Sequence, residues 1–127
     1  MSSPRSRPVA SPTQAAVVTK AALRAASRLD ITNRTLANVI GLSEATVSRM
    51  RSGGYELQPG QKAFELALLF VRLARSLDAV VGGDDVVAGA WLRNANTALD
   101  NAPLKLIQTV PGLMNVLHYL DARRAVV

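Results

Sequence analysis

The chain has 127 residues, 49% of them hydrophobic, with fifteen Lys and Arg against nine Asp and Glu for a net charge of +6. This length supports one domain or two small ones around a modest core. The absence of Cys removes disulfides and thiolate metal sites, and a lone His, His118, argues against a His-based metal centre or triad within one chain.

The charge is unevenly placed. Residues 1–62 hold nine basic side chains against three acids, and residues 63–127 hold six of each, so the whole excess lies in the first half. A basic module beside a neutral one suggests a polyanion for the first and a different partner for the second.

In chain order, residues 1–12 are rich in Ser, Pro and Arg and read as a disordered arm. Arg5 and Arg7 either touch DNA backbone or belong to a solvated tail. The arm lacks the apolar run of a signal peptide, and no uncharged stretch approaches a membrane span, so a cytoplasmic protein is expected. A first helix is predicted over residues 13–29, with Val17, Ala21, Leu23 or Ala22, and Ala25 as its apolar stripe. Lys20, Arg24 and Arg28 recur every fourth residue on another face, which suits either phosphate or solvent.

Residues 33–52 carry the most specific pattern, with two short helical segments flanking Gly41. Ala37 lies four residues before that glycine and Val47 six after it. This is the spacing of a helix-turn-helix: a small residue where two helices approach, glycine at the turn, and a branched residue packing the second helix on the first. Thr32 or Asn33 caps the first of the pair, Ser43 caps the second, and Gly53 and Gly54 stop it. Ala37, Ile40, Val47 and Met50 are expected inside. Glu44, Ala45, Thr46, Ser48, Arg49 and Arg51 are expected to face outward, and Ser43 lies at the helix start. On such a face Arg49 can read guanine by two hydrogen bonds, Thr46 or Ser48 can reach base edges or phosphate, and Glu44 can accept from cytosine. Arg34 and Arg51 suit phosphate contacts. The competing reading is a plain helical hairpin.

After Pro59 and Gly60 a long helix is predicted over residues 61–81. Its positions Phe64, Ala67, Leu68, Val71 and Leu77 follow helical spacing, and Leu66, Leu69, Phe70 and Leu73 widen the stripe, as in a helix buried on most sides. It reads as a connecting helix that also offers a homodimer interface. Asp84 caps a helix over residues 85–93 with Val87 and Trp91 on one face. A loop follows, then a short helix led by Pro103. The last helix opens at Pro111 and Gly112 and buries Leu113, Val116, Leu117 and Leu120. Pro103 and Gly112 read as helix punctuation. No alternating strand pattern of useful length occurs, so the fold class is all-α: a helix-turn-helix module (13–60), a connecting helix (61–83) and a C-terminal helical domain (84–127). No cluster of acids, His or Ser has catalytic spacing, so neither an enzyme nor a cofactor is expected.

From residue 84 on, the order and spacing of Trp91, Leu92, Asn96, Leu99, Pro103, Leu104, Leu106, Thr109, Gly112, Val116 and Leu120 resemble the toxin-binding domain of the Xre/MbcA/ParS antitoxins. The upstream helix-turn-helix extends the resemblance to nearly the whole chain past Thr13. It implies a type II antitoxin that blocks a toxin, often a RES-domain enzyme that consumes NAD, and represses its own operon. It implies further that the C-terminal segment covers the toxin's active site. Trp91, Asn96, His118, Asp121, Arg123, Arg124, Val126 and Val127 would then be the toxin contacts. Ala95 stands where the family often has Pro, and Arg123 and Arg124 where it often has Gly. The alternatives stay open at this level: Trp91 as core, the two arginines as partners of the helix dipole, and the protein as a stand-alone repressor whose second domain dimerises.

Overall fold

A computed structural model describes residues 13–126, with the side chain of Val126 left out, so the expectations for the arm, Arg5 and Arg7 included, and for Val126 and Val127 lie outside the described side chains. Seven helices occur among the described residues: α1 (Gln14–Arg28), α2 (Asn33–Ile40), α3 (Glu44–Arg51), α4 (Lys62–Val80), α5 (Asp85–Arg93), α6 (Pro103–Leu106) and α7 (Val110–Val126). The only strand-like pairing there is an isolated bridge between Asn96 and Asn101. The class is all-α, as expected.

Local chemistry sets the helix starts. Thr13, Thr32, Ser43 and Asp84 each accept a backbone N–H of the first turn. Thr109 does the same for α7, its Oγ1 accepting Gly112 N at 3.1 Å. Pro103 opens α6, where its missing N–H has no partner to lose.

The long helix α4 is the axis. It lies along α7 and packs against α1, α2 and α5. Ala63, Phe64, Leu66, Ala67, Phe70, Leu73 and Leu77 are buried on it, as its broad apolar stripe requires, while Leu68 is 43% exposed. One apolar cluster runs from Val18 on α1 to Leu120 on α7. The stripe expected on α1 holds in part: Ala22 is buried and Leu23 and Ala25 pack against the core. Ala15, Val18, Ala22 and Ala26 are the buried apolar residues of α1, and Val17 is 52% exposed. On α5 the buried pair is Ala88 and Leu92, and Val87 faces outward.

Polar ties join the two halves. The Arg28 guanidinium of α1 meets Asp85 of α5 at 3.0 Å and Asp78 of α4 at 3.2 Å, and these carboxylates, Asp85 first, hold it firmly charged. Arg93 of α5 donates to the carbonyls of Leu29 and Asp30, completing acceptors at the C-terminal end of α1. Asn38 of α2 donates to Gln108 beyond α6 at 2.9 Å.

Candidate functional site

The α2–α3 turn is built as its sequence requires. Gly41 takes φ 76° and ψ 34°, the left-handed conformation that glycine adopts without penalty, and donates to Ala37 O at 2.8 Å. Leu36, Ala37, Val39 and Ile40 of α2 and Val47 and Met50 of α3 are buried, so all four side chains expected inside are inside. Ser43 Oγ accepts Thr46 N and lies 2.9 Å from Thr46 Oγ1, and Arg49 Nη2 donates to that same Thr46 oxygen at 3.1 Å. This chain of contacts fixes the first two turns of α3.

Glu44, Ala45, Ser48 and Arg49 are exposed beside half-buried Thr46, and Arg34 is exposed on α2. The outward face therefore combines short polar side chains with a braced guanidinium. Arg51 is also tied into the fold. Its Nη1 donates to Ser27 of α1 at 3.0 Å and its Nε to Asn33 of α2, so it braces three helices with two of its five N–H groups.

In the second half, Trp91 is half-buried and stacks on Tyr119, with ring centroids 6.1 Å apart and planes 18° apart. Arg123 lies over the Tyr119 ring at 5.7 Å and donates to its hydroxyl at 2.9 Å. Tyr119, not among the expected toxin contacts, thus links Trp91 of α5 to the end of α7. The i to i+4 spacing of Tyr119 and Arg123 was the available signal. His118 is exposed on the same helix.

Two expected contacts are occupied internally. Asn96 Oδ1 accepts Ala98 N and Leu99 N, shaping its own loop. Asp121 accepts from buried Ser76 at 2.8 Å and pairs with Arg72. The Ser76 hydrogen bond, more than Arg72, holds the Asp121 carboxyl below its ordinary range against the cost of desolvation. Arg124 turns away from Arg123 toward Ser76, 3.4 Å away. Gly112 is more than punctuation, because a Cβ there would lie 1.9 Å from Leu106 O. No cluster of His, Asp or Glu among the described residues is arranged to hold a metal ion, and no described helix is long and apolar enough to cross a membrane.

The geometry defines a class: an all-α protein in which a helix-turn-helix is followed, along one shared helix, by a second helical unit. Residues 8–72 match the antitoxin Xre-like helix-turn-helix domain, residues 76–125 match the antitoxin Xre/MbcA/ParS C-terminal toxin-binding domain, and the chain belongs to this antitoxin family. Among solved structures it is similar to a chain in the crystal structure of the M. tuberculosis MbcT-MbcA toxin-antitoxin complex, with TM-score 0.65 and 21% identity over 87% of this chain and 96% of that one. At that identity the likeness bears on the fold. No curated protein matches the sequence.

Proposed function

We propose that this antitoxin-family protein neutralises a partner toxin through α5–α7 and represses its own operon through α3. The observation that carries the reading is the tandem match, helix-turn-helix then toxin-binding domain, across 8–72 and 76–125. The charge excess in the first half supports DNA as one partner, since phosphate neutralisation dominates such binding. On the proposed DNA face, Arg49 reads a guanine edge, Thr46 and Ser48 reach bases or backbone, Glu44 selects cytosine, and Arg34 holds register on phosphate. Arg51 positions α3 through Ser27 and Asn33 more than it touches DNA. A homodimer presents two such helices to two half-sites.

On the toxin side, the segment from His118 onward covers the partner's active site, with Arg123 held by Tyr119 and Arg124 on a different side of the helix. The partner is a RES-domain enzyme that consumes NAD, as the family resemblance implies, and the arginines pair with acids in its cleft or fill the cofactor's space. Asp121 acts by tying α7 to α4, and Asn96 by shaping the loop between α5 and α6. The test is footprinting on DNA upstream of the gene, together with a growth assay in which the adjacent reading frame is induced with or without this chain. Protection of a symmetric site and rescue of growth support the reading. A protected site with no toxicity to relieve leaves a stand-alone repressor.

A further inference from the structure

A surface groove of about 710 Å³ lies between α1 and α4, apart from the outward face of α3 and from the Trp91–Tyr119 stack. Its floor is aliphatic and small, with Val17 and Ala21 on α1 and Val71 and Ala74 on α4. Its rim is cationic. Lys20 and Arg24 stand on one wall and Arg75 on the other, and none of the three has an ion pair among the described residues. The two carboxylates that line the groove, Asp78 and Asp85, are both engaged by Arg28. The groove therefore joins exposed apolar surface to uncompensated positive charge.

That combination discriminates between occupants. A nucleic-acid backbone satisfies the rim and leaves the aliphatic floor without an apolar partner. A second copy packed symmetrically sets Lys20, Arg24 and Arg75 against their own equivalents. An amphipathic helix with aliphatic residues on one face and carboxylates along its edges satisfies floor and rim together, in the helix-in-groove mode. Small floor residues let its backbone come close. We propose that the α1–α4 groove, whose end is shared with Arg124 of α7, docks an acidic amphipathic helix of a protein partner.

The test uses the full chain and a fluorescein-labelled 18-residue Leu/Glu amphipathic peptide, followed by anisotropy, with a Leu/Lys peptide of the same apolar face as control. Val17→Asp changes an exposed floor position, and the double variant Arg24→Glu/Arg75→Glu reverses the rim. Circular dichroism checks that both fold. Saturable binding of the Leu/Glu peptide alone is expected, weakened about tenfold or more by each variant and by added salt. Equal binding of the Leu/Lys peptide, or affinity unchanged in both variants, overturns the proposal. So does an absence of peptide binding, whether the rim variant instead loses affinity for a DNA duplex or Val17→Asp instead breaks a dimer.

Discussion

Replacing Gly112 by Ala tests how tightly α6 and α7 are set. A methyl group at this position lies 1.9 Å from the Leu106 carbonyl oxygen, 2.7 Å from its carbon and 2.9 Å from Thr109 Oγ1. The first distance is more than 1 Å inside any normal approach, and the obstacle is backbone, which cannot rotate aside. Relief requires α7 to move relative to α6, yet Leu113, Val116 and Leu117 are fully buried on α7. Overpacking typically costs about 1–3 kcal/mol, and a backbone obstacle belongs at the upper end. Alanine's better helix propensity returns about 1 kcal/mol. The expected net loss is about 2 kcal/mol or more, a fall in Tm of roughly 8 °C for a domain of this size. Gly89, within α5, is the internal control. A Cβ there meets only the movable Arg93 Nη1 at 3.3 Å, so Gly89→Ala should be neutral or stabilise by up to about 1 kcal/mol. Urea denaturation followed by circular dichroism reads both. A Gly112→Ala protein as stable as its parent would refute the close packing of the α6–α7 corner.

Other outcomes follow from single contacts. Asp121→Ala leaves the buried Ser76 hydroxyl without its acceptor and should cost about 1–3 kcal/mol in the same assay. Because the folded Asp121 carboxyl titrates below its unfolded value near 3.9, its stabilisation is full above about pH 4 and is lost as pH falls through the folded value. The parent should therefore lose stability below pH 4 more steeply than Asp121→Asn, and parallel acid titrations would contradict this. Thr19→Val removes the oxygen that accepts Leu57 N at 2.9 Å in the buried interior and should cost about 1–3 kcal/mol of unfolding free energy. Arg49→Ala should weaken operator binding by roughly 1–3 kcal/mol and relax preference at one base pair, measured by competition gel shift. Deleting residues 123–127 should leave a folded protein that no longer rescues growth, and full rescue would remove the tail from the toxin contact.

The helix-turn-helix was legible because its signals are local. Caps, a turn glycine and inward positions fall within twenty residues, and Thr32, Gly41, Ser43 and Val47 all do what their spacing says. The broad stripe of α4 was legible for the same reason. The α1 stripe was legible only in part, because alanines and valines occur on several of its faces and only tertiary packing chooses Val18 over Val17. Trp91 could not be placed from sequence, since its partner Tyr119 lies in a different helix. Arg51, Asn96 and Asp121 are polar residues at positions that suit contact with a partner. What sequence could not show is that Ser27, the 98–99 backbone and Ser76 are already there to receive them. Gly112 has an ordinary turn signature, and the nearby carbonyl that forbids any side chain appears only in three dimensions.

The most direct test of the central claim is to titrate the purified chain with the product of the adjacent reading frame by calorimetry while following that product's activity. A saturable complex of fixed stoichiometry, with activity lost in proportion to occupancy and restored when α5–α7 is removed, is the expected result. No heat of binding and full activity at excess chain would contradict the antitoxin account.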